Sequence, residues 1–60
     1  MITEEKLKVL TPMEERILRM KHGIGSNTKH SLSEIGLQFS QNESKIKKIV
    51  NAAERKIEKN

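Results

Sequence analysis

The stretch Ser31-Leu-Ser-Glu-Ile-Gly-Leu-Gln-Phe-Ser-Gln-Asn-Glu-Ser-Lys-Ile-Lys-Lys-Ile49 decides the fold. Leu32, Ile35 and Phe39 recur at i, i+3 and i+7, one face of a short helix. Ile46, Ile49, Val50, Ala53 and Ile57 recur at i, i+3, i+4, i+7 and i+11, one face of a second, longer helix. Ser31 and Glu34 have the spacing of a capping box at the start of the first helix. Ser40-Gln41-Asn42 reads as the turn between them. Asn42 is the preferred N-cap of the second helix, and Ser40, which fits box spacing with Glu43, is the other choice. Gly36 follows the core position Ile35, where a missing side chain lets a second helix backbone approach, at a propensity cost of about 1 kcal/mol relative to Ala. Two short helices at a tight turn, the second bearing Lys45, Lys47 and Lys48, form the helix-turn-helix pattern that sets one helix in the major groove of DNA. The alternative is a helical hairpin with no ligand.

Working upstream, Thr11-Pro12-Met13-Glu14 is another capping box, with Pro at the first helical position, where no amide donor is missed. It predicts a helix to about Lys21, with Met13, Ile17, Leu18 and Met20 facing inward. His22-Gly23 ends it, Gly23 supplying a left-handed cap. Residues 23–30 form a loop, with Ile24 as its anchor into the core. Residues 3–9 predict a short opening helix, capped by Thr3 and favoured by Glu4 and Glu5, with Leu7, Val9 and Leu10 as apolar contacts. The last helix runs to about Lys59. The expected fold is all-α: four helices and no strands in a single domain over residues 1–60, with the motif at about 31–58. Phe39, the one aromatic residue, is expected in the core, so that Phe39→Ala would cost about 3–5 kcal/mol.

Composition narrows the function. A chain of 60 residues, a third of them hydrophobic, is one domain with a marginal core. With no cysteine there is no disulfide framework or thiolate metal site. His22 and His30 are the only imidazoles and have no third ligand in view, so no metal and no cofactor is expected. Gly23-Ile24-Gly25 lacks the lysine and strand context of a phosphate loop. No triad or paired carboxylates stand out, and Glu14, Glu15 and Glu34 are helix-start charges, so no catalytic residue is assigned and an enzyme is rejected. Of the net charge of +4, residues 43–60 carry six basic against three acidic side chains, and residues 1–42 carry six against five. The positive excess on the last helix is the footprint expected for phosphate, diluted by Glu43, Glu54 and Glu58. No run approaches the roughly 20 apolar residues of a membrane span, and no signal-peptide pattern is present, so a cytoplasmic location away from membranes is expected.

Leu10-Thr11-Pro12-x-Glu14-x-x-Ile17-Leu18-Arg19-Met20-x-x-Gly23-Ile24, then Asn27-Thr28-x-His30-Ser31-Leu32-x-Glu34-Ile35-Gly36-x-Gln38-Phe39, resembles the fourth conserved region of primary bacterial sigma factors. The tail is similar through Ile46, Lys47, Ile49, Ala53, Arg55 and Lys56, so the likeness covers about residues 10–58. It implies a helix-turn-helix that reads the promoter −35 element in double-stranded DNA. It also implies first helices that dock on the RNA polymerase β flap, and a last helix that meets transcription activators, with anti-sigma factors as further partners. Position by position, it implies base-reading sites at Glu43, Ser44, Lys47 and Lys48, sites near the DNA backbone at Lys21, Ser31 and Leu32, and activator-facing sites at Ala52, Arg55, Lys56 and Glu58. Lys45 joins the phosphate contacts by its charge. The chain departs from the family where Arg then Glu is typical, with Glu43 then Ser44. Lys47 and Lys48 stand for Arg and Gln, Gln41 for an apolar turn residue, and Glu54 for a Leu. Glu43 cannot make the bidentate guanine contact of an Arg, so the base-reading end is rewritten. Nothing resembles the sigma region that melts the −10 element; with Met1 as a natural start, the chain would act as an adaptor or regulator. The resemblance implies a bacterial or phage-encoded monomer. A rival reading is a polymerase- or regulator-binding module that keeps the fold without reading DNA specifically, its interface formed by apolar residues such as Val9, Leu10 or Leu18.

Overall fold

Thr11 and Ser31 each start a helix by a reciprocal exchange of hydrogen bonds. Thr11 Oγ1 accepts from the Glu14 amide at 3.2 Å, and the Glu14 carboxylate accepts from the Thr11 amide at 3.0 Å. Ser31 and Glu34 repeat the exchange at 3.1 and 2.8 Å. In the computed structural model, which describes residues 2–59, these boxes open α1 (Pro12–His22) and α2 (Leu32–Phe39). Met1, read above as a chain start, lies outside the described residues. Gly23 ends α1 at φ 69°, and the Ile24 amide donates back to the Arg19 carbonyl at 3.0 Å. The loop returns to α1 where the His30 amide donates to the Met20 carbonyl at 2.8 Å. The third helix, α3 (Glu43–Lys59), follows Asn42, whose Oδ1 accepts from the Lys45 amide at 2.8 Å. Asn42 is therefore the cap in use. Ser40 instead ends α2 in the left-handed conformation, at φ 55°.

The opening segment differs from expectation. It is a 3₁₀ turn over Lys6–Val9 and not a longer helix over 3–9. Thr3 still tethers it, through the Lys6 amide to Thr3 Oγ1 at 3.3 Å. The cause lies just downstream: Thr11 precedes Pro12 and is held extended, and Leu10 is extended too, at ψ 156°. The segment must stop at Val9, too soon to recover the cost of nucleating an α-helix. Among the described residues the fold is thus all-α, three α-helices and a 3₁₀ turn, with no strand. No helix among them is long and apolar enough to cross a membrane.

The core is Leu7, Ile17, Leu18, Ile35, Ile46, Val50, Ala53 and Ile57. α1 and α2 both pack on α3, and Leu7 brings the 3₁₀ turn against the same cluster. Three expectations change. Met13 lies in the first turn of α1 and is 40% exposed, because the packed contact with the cluster begins at Ile17. Phe39 is half-buried rather than central, its ring face under the Arg16 guanidinium at 5.8 Å from the centroid. Leu18 is fully buried, so it is no part of any interface on this surface. Gly36 has a packing reason, but the close neighbour is the turn. A Cβ there would stand 2.6 Å from the Gln41 carbonyl oxygen.

Candidate nucleic-acid interface

The helix-turn-helix is built by backbone and cap chemistry from Ile35 to Lys45. The Gln41 amide donates to the Gly36 carbonyl at 2.9 Å, which closes the turn over Gly36. The Asn42 cap then directs the first turn of α3 outward, while Ile46 and Val50 lock the helix to the core. This geometry leaves Glu43, Ser44, Lys45, Lys47 and Lys48 all exposed. Ser44, Lys47, Lys48, Asn51 and Arg55 recur at i, i+3, i+4, i+7 and i+11, so they share the stripe opposite the buried face. Asn51 belongs to that stripe although its uncharged side chain gave no electrostatic sign of it. The side chains of Lys45, Lys47, Lys48 and Arg55 have no carboxylate within ion-pair range among the described residues.

The remaining sequence-derived residues are dispersed or engaged. Ser31 is exposed at the start of α2, and Leu32 beside it is half-buried. Lys21 is not free: its ammonium donates to Glu54 Oε2 at 3.1 Å, and His22 Nε2 lies 3.1 Å from the same oxygen. Burial pushes the Glu54 carboxyl up, but His22 and Lys21 outweigh it and hold it below the usual carboxylate range. Of the residues aligned with activator contacts, Ala52 and Lys56 are one turn apart on the flank facing the start of α1. Arg55 and Glu58 project elsewhere, so the four do not form one face. Lys56 is bound to Glu14 at 2.9 Å. The Thr11 amide, then Lys56, keeps the Glu14 carboxyl below its usual range. Arg19 is also engaged, with Nη1 and Nη2 on Glu4 and Nε on Glu15 at 2.9 Å.

A groove of about 330 Å³ runs between the start of α1 and α3, lined by Met13, Lys45, Lys48, Ile49 and Ala52 among others. Met13 was expected inside because its i, i+4, i+7 spacing with Ile17 and Met20 gives no sign of where a neighbouring helix ends. The arrangement offers a convex basic helix beside a shallow apolar groove. Such a surface can enter a duplex groove and meet phosphates on its rims.

No protein-family model and no solved structure matches the chain. Over 56 residues, 93% of its length, the chain is 45% identical to the RNA polymerase sigma factor RpoD of Neisseria gonorrhoeae. It spans 9% of the length of that relative. The identity and the all-α helix-turn-helix fold together mark this chain as a sigma region 4-like segment.

Proposed function

We propose that this chain is a non-catalytic DNA-binding domain of transcription initiation or its regulation, which sets α3 in the major groove of promoter −35-type DNA. The observation that carries this reading is the outward stripe at the head of α3. There Lys47 and Lys48 stand exposed beside Ser44, with no carboxylate partner among the described residues. Ser44, Lys47 and Lys48 approach base edges, with Glu43 turning selection away from guanine at its position. Lys45 and the amide end of α2 at Ser31 with Leu32 take the backbone, through charge and helix-terminus donors, with Lys21 beside them but paired to Glu54. The first elements dock on the RNA polymerase β flap, and Ala52, Arg55, Lys56 and Glu58 serve contacts with activators or anti-sigma factors. The whole chain works as one monomeric domain in the cytoplasm of a bacterium or of a phage-infected one.

The test is an NMR titration of the labelled chain with a −35-like duplex, a scrambled duplex and, separately, a β-flap fragment. DNA reading gives shifts concentrated at Ser44, Lys47 and Lys48, larger for one duplex. About four phosphate contacts give a log-log salt slope of about −3 to −4. Lys47→Ala with Lys48→Ala abolishes the effect.

A second reading is favoured by Glu43 on the exposed head of α3 and by the exposure of Val9 (41%) and Met13 (40%) near half-buried Leu10. On it, the chain binds polymerase or a regulator and no longer reads DNA. Silence with both duplexes, together with flap-induced shifts across residues 4–20 that survive the double lysine substitution, would select this reading.

A further inference from the structure

Glu54 follows Lys47 by seven residues on α3, two turns along, so the two occupy one flank of the helix. From the end of α1, Lys21 reaches this flank and meets the Glu54 carboxylate at 3.1 Å. Both side chains stay about one-third exposed, so solvent and a passing anion have access to the pair. The depression around Glu54 is lined by Ile2, Lys6, Ile57 and Glu58, so an apolar side chain in place of Glu54 would still meet Ile2 and Ile57. His22 Nε2, at 3.1 Å, is a second group steadying the carboxylate in this position.

The geometry points to Glu54 as an internal competitor of the DNA backbone, which occupies the Lys21 ammonium that a phosphate beside α3 would otherwise engage. This rests on the DNA-reading function proposed above. A phosphate approaching Lys21 must displace a carboxylate already in contact, and the displaced charge then repels the same strand. Both effects act in one direction, so Glu54 lowers the affinity of the interface and removes one phosphate contact from its salt dependence. Lys45, Lys47, Lys48 and Arg55 are left as cations of α3 with no carboxylate partner among the described residues.

Fluorescence-anisotropy titrations of one −35-like duplex, at low and moderate salt, test this with five chains: the parent, Glu54→Gln, Glu54→Leu, Lys21→Ala, and Glu54→Gln combined with Lys21→Ala. Melting by circular dichroism shows which are folded, and the Leu variant stands in if the Gln variant is not. Glu54→Gln and Glu54→Leu should each tighten binding about three- to tenfold and steepen the log-log salt slope by about 0.9, the effect of one added phosphate contact. In the Lys21→Ala background the gain should shrink to what relief of repulsion alone supplies and the salt slope should no longer steepen, the non-additivity expected of two groups in contact. Unchanged binding, or an equal gain without Lys21, overturns the proposal. A scrambled duplex is titrated alongside, and if no chain, the parent included, binds either duplex, the DNA-reading function falls and this inference with it.

Discussion

Gly36 and Ser40 show how single residues set the angle between the two helices of the motif. At Gly36 an added Cβ would lie 2.6 Å from the Gln41 carbonyl oxygen, and that atom belongs to backbone already fixed by the Gln41-to-Gly36 hydrogen bond. Gly36→Ala would gain about 1 kcal/mol of helix propensity. It would lose roughly 1–3 kcal/mol to overpacking that the turn cannot relieve. A net destabilisation of up to about 2 kcal/mol is expected, with an altered turn visible as shifts at Gln41 and Asn42. An unchanged melting temperature would show that the turn yields easily. Ser40 offers the opposite experiment. Its left-handed backbone, φ 55°, costs an L-residue about 1–2 kcal/mol, which Ser40→Gly removes at an entropy cost of about 0.5–1 kcal/mol. The net gain of about 0–1.5 kcal/mol corresponds to a rise in melting temperature of about 0–12 °C by the usual scaling of about 4–8 °C per kcal/mol for a domain of this size. Core residues divide in the same way by exposure. Ile46, at 0% exposure, should lose about 2–5 kcal/mol on change to Ala and unfold much of the population. Phe39 is half-buried and should lose less than the 3–5 kcal/mol of a central ring, part of it from the contact with Arg16. Thermal melts of the two variants side by side check the order, and a less stable Phe39→Ala would contradict the packing described.

At the scale of elements, the helix ends are where sequence and structure meet best. Both capping boxes, the Gly23 cap and the Asn42 cap were legible because each depends on residues within one turn of one another. Ser31→Ala removes an acceptor from the Glu34 amide and should cost about 1 kcal/mol. Its amide-exchange protection should fall first in α2, which has only eight residues. Equal loss across all helices would mean that α2 does not open separately. The buried stripe of α3 was legible for a related reason: seventeen residues carry enough repeats for the period to be plain. The opening segment was not, because its helix is cut short by an extended Leu10-Thr11 step, of which Pro12 restricts only Thr11. Met13 was misplaced because periodicity gives a face but not the reach of the partner helix. The pairing of Lys21 was not legible for a third reason. Its partner Glu54 is 33 residues away, and no local pattern reveals a pairing at that separation.

Across the whole molecule, ion pairs fasten α1 to α3 on both flanks, and this makes acid the condition that should loosen the assembly. Glu14 meets Lys56 on one side and Glu54 meets Lys21 and His22 on the other. Exposed pairs contribute little each, about 0–1 kcal/mol, and salt screens them further. Their carboxyls share one direction, however. Glu14 is lowered first by the Thr11 amide, Glu34 by the Ser31 amide, and Glu54 by His22 and Lys21 acting against its own burial. A carboxyl whose folded value lies below its unfolded value favours the folded state whenever it is ionised. That contribution is complete above the ordinary value of about 4.5 and is lost as pH falls through the lower folded value. Melting temperature should therefore drop on acidification below about pH 4.5, and a chain carrying Glu14→Gln, Glu34→Gln and Glu54→Gln should start lower at neutral pH and drop less. Circular-dichroism melts of both chains between neutral pH and about pH 3 decide it. Parallel curves would place the acid sensitivity elsewhere in the molecule. Convergence at low pH would assign it to the carboxylates that cap α1 and α2 and hold α1 against α3.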